Sequence, residues 1–138
     1  MAGILIVAHT PIASAMLDFV DHIYGSIPDK IQALDIPAHE DTKISAQRLQ
    51  AAVDLVSDSK QVLILTDILG ATPANVAGKF ALNDTKNQIM VITGLNLSML
   101  LRAVSHRHEP LEQIVEKSLQ GGTQGVVKIR TSSKMTIE

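Results

Sequence analysis

Apolar residues in this chain come in two rhythms that alternate along its length. Short unbroken runs, Gly3-Ile4-Leu5-Ile6-Val7-Ala8, Gln61-Val62-Leu63-Ile64-Leu65-Thr66 and Gln88-Ile89-Met90-Val91-Ile92-Thr93, have the composition of buried parallel strands. Ile31-Gln32-Ala33-Leu34-Asp35-Ile36 instead alternates apolar with polar residues and meets Pro37, which places a second strand nearer a sheet edge. Between these runs the spacing turns helical. Ile12, Met16, Leu17, Val20 and Ile23 follow Pro11 and are closed by Gly25, and Ile44, Leu49, Ala52, Val53 and Val56 span a helix from Thr42 to Ser57. Thr72-Pro73 supplies an N-cap hydroxyl and a proline at the first position of a helix running to Leu82. Asn96 caps a helix carrying Leu97, Leu100, Leu101 and Val104, and Leu111, Ile114, Val115 and Leu119 line another that starts at Pro110 and stops at Gly121-Gly122. Val126 to Ile129 reads as a short final strand. Strand and helix in alternation predict an α/β fold, an open, mostly parallel, doubly wound sheet.

Composition narrows this picture. A chain of 138 residues with 46% hydrophobic content makes one domain, 1–130, followed by a polar tail, 131–138, expected to be mobile. Aromatics are 2% and Trp is absent, so the core is aliphatic. Without cysteine there are no disulfides, thiolate metal sites or cysteine nucleophiles. A net charge of -2, scattered rather than blocked, carries no footprint for nucleic acid or an anionic membrane. The first apolar run is too short for a signal peptide or a span, which predicts a soluble cytoplasmic protein without membrane insertion.

Candidate chemistry lies where strands end. In open α/β sheets that rim holds the sites, and here His9 follows the first strand and Asp67 the third. After Asp67 come Gly70, Ala71 and Thr72, a glycine that lets backbone approach a ligand and a helix start whose free N–H groups favour an anion. Singly, each residue has a structural use: a solvated histidine, an aspartate capping its own turn, a threonine capping a helix. Together they supply what phosphoryl transfer through histidine needs, namely a ring nitrogen as nucleophile, an acceptor fixing the other ring N–H, and donors for the transferred oxygens.

Three stretches, Ile4-Leu5-Ile6-Val7-Ala8-His9-Thr10, Leu65-Thr66-Asp67-Ile68-Leu69-Gly70-Ala71-Thr72-Pro73-Ala74-Asn75 and Gly94-Leu95-Asn96-Leu97-Ser98-Met99-Leu100, also carry a family resemblance. From about Gly3 to Ile129 the chain resembles the mannose-type enzyme IIA component of the bacterial phosphoenolpyruvate-dependent sugar phosphotransferase system. The resemblance implies a phosphotransferase in which His9 accepts a phosphoryl group from the carrier protein HPr and passes it to an enzyme IIB. Asp67 matches the family's aspartate that hydrogen-bonds the histidine, and Thr72 its hydroxyl residue near the phosphate. It also implies a homodimer whose last strand, here Val126 to Ile129, crosses to the partner's sheet. Thr10-Pro11, Ile68-Leu69 and Ala71-Thr72 depart from the commonest pattern but preserve the backbone and hydroxyl roles.

Other chemistries fit less well. His106-Arg107-His108 places its histidines two apart, on different helix faces, without a carboxylate or cysteine to complete a metal set. No Walker A loop or dinucleotide fingerprint is present, so no cofactor is expected. Hydrolysis of a free phosphate ester needs basic residues, and none stands beside His9, Asp67 or Thr72 in the sequence. A regulatory phosphohistidine module that moves no sugar uses the same residues and stays open as the alternative.

Overall fold

The two most apolar runs become the centre of the sheet. In the computed structural model, which describes residues 1–130, β1 (Gly3–His9) lies between β2 (Ile31–Ile36) and β3 (Gln61–Thr66), with β4 (Gln88–Ile92) beyond β3. All three pairings are parallel. Helices α1 (Ile12–Tyr24), α2 (Thr42–Val56), α3 (Thr72–Asn83), α4 (Leu97–Ser105) and α5 (Leu111–Gln124) complete an α/β fold of the expected class. β2, the run with alternating polarity, is an edge strand as its pattern predicts.

Strand side chains alternate between the faces of the sheet, so each face collects its own core. Ile4, Ile6, Ala8, Leu63 and Leu65 join Ala13 and Val20 of α1, Leu100 and Val104 of α4, and Leu111 and Ile114 of α5. On the other face Leu5, Val7, Val62 and Ile64 join Leu49, Val53 and Val56 of α2 and Ala77 of α3. Ile4 through Ala8 are fully excluded from solvent, which explains why β1 has no polar position before His9.

Helix faces are less faithful to apolar spacing than the strands are. Ile44, expected on the core face of α2, is exposed, and its neighbour Ser45 is buried with its hydroxyl donating to Glu40 at 2.7 Å. On α5, Leu119 is likewise exposed while Ser118 and Gly121 are buried.

Two expectations at the C-terminal end need correction. Gly121-Gly122 does not stop α5, which continues to Gln124. The reason is the closeness of α4: a Cβ on Gly121 would lie 2.2 Å from Arg102 Cγ and 3.1 Å from the Ser98 carbonyl oxygen. Glycine is needed there for helix packing and not for a turn. Val126 to Ile129, read as a strand, pairs with no strand among the described residues, and Val126 and Ile129 are 77% and 62% exposed. The expected tail 131–138 lies outside the described residues.

Gly121→Ala sets a helix-propensity gain of about 1 kcal/mol against an overpacking penalty of about 1–3 kcal/mol. With so short an approach the penalty dominates, and urea unfolding should show a net loss of roughly 1–2 kcal/mol. A variant as stable as the parent would mean that α4 and α5 move apart freely.

Candidate functional site

β1 and β3 run side by side in parallel, with Val7 opposite Thr66, so both chains leave the sheet at the same rim. One residue past β3, the Asp67 carboxylate meets the end of β1. Its Oδ2 accepts the His9 backbone N–H at 2.9 Å and lies 2.7 Å from His9 Nδ1, while its Oδ1 accepts the Ile68 N–H at 2.9 Å. Burial by itself raises the Asp67 carboxyl, but the N–H groups of His9 and Ile68 outweigh it and hold the group below the usual carboxylate range. An ionised carboxylate only accepts, so Nδ1 is the protonated nitrogen and Nε2 of the neutral ring carries the lone pair. The side chain of His9 is 41% exposed and that of Asp67 8%, so the imidazole is accessible while the carboxylate that contacts it is sheltered.

The loop after Asp67 is built to leave amides free. Gly70 takes φ +86, a conformation that side chains with a Cβ rarely adopt, and turns the chain into α3. Among the described residues the N–H groups of Leu69, Gly70 and Thr72 have no acceptor, and Pro73 has none to offer. Thr72 is not the N-cap its sequence suggests. The cap is Ala71, whose carbonyl accepts the Asn75 N–H at 3.0 Å, so Thr72 is already helical and its hydroxyl makes no capping bond.

His9 and Asp67 are therefore joined directly, whereas Gly70, Ala71 and Thr72 lie in the adjoining loop without a hydrogen bond to either. A second correction concerns charge. Thr72 opens onto a groove that also holds Lys43 of α2 and Lys79 of α3, so cations do stand near it. Sequence neighbourhood hides them because Lys79 is two helical turns away and Lys43 arrives from another helix.

Against this geometry stand the comparisons with known proteins. A family model described as "PTS system fructose IIA component" matches residues 3–119. The chain belongs to that family. A PTS system sorbose-specific EIIA component of Klebsiella pneumoniae is 32% identical over 108 residues, 78% of this chain and 76% of that one. Its counterpart in Lacticaseibacillus casei is 28% identical over 113 residues, covering 81% and 79%. The crystal structure of a phosphotransferase system component EIIA from Streptococcus agalactiae superposes with TM-score 0.84 at 33% identity, over 93% of this chain and 97% of that one. As a PTS EIIA component, the protein has a role in sugar phosphotransfer.

Two residues of this EIIA component support the site without having been singled out for it. Asp35 on β2 accepts the Ser14 N–H at 3.1 Å and so caps the first turn of α1, which leaves the sheet directly after His9. The signal was an aspartate at a strand end, the same signal that marked Asp67. Asn75 Nδ2 donates to the Gly70 carbonyl at 3.3 Å and closes the loop on itself. Elsewhere in the EIIA chain, His106 Nδ1 contacts Glu109 Oε2, a carboxylate neighbour that helical spacing did not suggest, because the chain has left α4 by then. No group of three metal-ligating side chains forms among the described residues. None of the described helices is long and apolar enough to cross a membrane.

The lowered Asp67 carboxyl fixes the sign of an acid effect. On acidification the unfolded chain takes up this proton before the folded one does, so the stabilisation is complete above about pH 4 and disappears as pH falls through the lower folded value. Asp67→Asn should be about 1–2 kcal/mol less stable than the parent in urea at neutral pH, with the gap narrowing in acid. A gap that is the same at every pH would rule out an ionised Asp67 as its source.

Proposed function

We propose that the protein is a phosphohistidine relay in which His9 accepts a phosphoryl group from phosphorylated HPr and passes it to an enzyme IIB. The observation that carries this reading is the Asp67 contact to Nδ1, which leaves Nε2 as the unbonded nitrogen of a part-exposed ring and so the candidate nucleophile. Nε2 attacks phosphorus in line. An N–P bond forms there as the donor's N–P bond breaks, and the electron pair returns to the donor imidazole. The Nδ1 proton stays on His9, and the positive charge that develops on the phosphorylated ring is balanced by the Asp67 carboxylate. Free amides of Leu69, Gly70 and Thr72, with the Thr72 hydroxyl, are the donors for the transferred oxygens.

Exposed apolar side chains beside the histidine support protein partners over a small phosphate ester. Ile68 and Leu69, in the Asp67 loop, are 61% and 80% exposed, more than a solvated loop needs. We further propose a homodimer in which Val126 to Ile129 adds to the partner's sheet. In support, this segment is apolar and uncovered, and β4 is an edge strand with one ladder open.

Incubation with phosphoenolpyruvate, enzyme I and HPr should give acid-labile label on the parent, attached through Nε2, and none on His9→Ala. Label retained by that variant would refute the relay. Asp67→Ala should keep the fold but slow transfer on the order of 100-fold, since the ring loses its fixed tautomer and orientation; an unchanged rate removes Asp67 from the mechanism. For the dimer, light scattering on the chain ending at Gly125 should report a monomer where the full chain reports a dimer.

A further inference from the structure

We propose that the groove between α2 and α3 is a second ligand site, one that binds a small phosphorylated organic molecule. The groove has a volume of about 460 Å³, within the range of small-molecule pockets and suited to one compact molecule rather than an extended chain. Ala46, Val76 and Phe80 are its apolar lining. Lys43 from α2 and Lys79 from α3 supply a cation on each wall, and the rest of its lining is hydroxyl and amide side chains with no carboxylate. Neither lysine makes an ion pair among the described residues, although the chain as a whole is acidic.

That combination selects its occupant. A phosphate dianion has three oxygens for two ammonium groups and several neutral donors, whereas a carboxylate leaves part of this donor set unused. These apolar side chains, the half-buried ring of Phe80 among them, take the carbon skeleton, so an ester binds better than free phosphate. The groove reaches Thr72 at its rim end, and Asn75 on the same wall donates to Gly70 in the Asp67 loop. A bound ligand would thus sit one hydrogen bond from the loop that serves His9, without touching His9 itself.

Titration of the unphosphorylated full chain with glucose 6-phosphate, followed by amide 15N–1H NMR, tests this without any phosphoryl transfer, so it stands or falls apart from the relay. Saturable shifts are expected at Ala46, Val76 and Phe80, with inorganic phosphate weaker and glucose without effect. Lys43→Ala and Lys79→Ala, at exposed positions that leave the core untouched, should each weaken binding roughly threefold at low salt. No saturation by roughly 10 mM, shifts confined to residues 67–72, or equal binding by gluconate would overturn the proposal. So would binding of hexaglutamate in preference to the sugar phosphate, since the groove would then be a contact for an acidic protein segment.

Discussion

One carboxylate oxygen ties the candidate site to the sheet. Asp67 Oδ2 accepts both the backbone N–H of His9 and the proton on its ring, so the position of the last residue of β1 and the orientation of its side chain depend on the same atom. That contact exists because β1 and β3 are adjacent and in a register that ends them together. A slip of one residue would send the histidine to the opposite face of the sheet and leave Asp67 without its partner. The surrounding packing makes such a slip expensive. Every residue of β1 from Ile4 to Ala8 is fully buried, with neighbours in two separate aliphatic cores.

Around this clamp, charge is handled by hydrogen bonds more than by ion pairs. His9 has Asp67 as its charged neighbour, and the donors beside it are amides of a loop held open by Gly70 and closed on itself by Asn75. Such donors are fixed in place and need no reorganisation when an anion arrives, which suits the relay we propose. Lys43 and Lys79 stand further along, in the groove between α2 and α3.

The opposite end of the chain follows a different constraint. α4 and α5 approach so closely that Gly121 has no room for a methyl group, and this contact carries α5 past a pair of glycines to Gln124. The chain then continues into an apolar segment that is exposed among the described residues, in a molecule whose β4 lies at the edge of the sheet. An uncovered segment of this kind is a liability in isolation and an asset in an assembly.

Much of this was legible in the sequence. Strand runs declare themselves because a strand buried on both faces tolerates no polar residue, and so β1, β3 and the ends that present His9 and Asp67 can be read directly from composition. The helices could be placed but not their exact faces or caps. Ser45 replaces Ile44 in the core because Glu40 satisfies its hydroxyl, and Ala71 replaces Thr72 as the cap because the first helical bond closes on its carbonyl. What only the tertiary structure decided was contact between distant elements: which imidazole nitrogen Asp67 holds, the two lysines that share a groove with Thr72, and the passage of α5 through Gly121. Local sequence records the preference of a segment for strand or helix. Hydrogen bonds and close approaches between segments 58 residues apart, as His9 and Asp67 are, depend on register and packing that no local pattern contains.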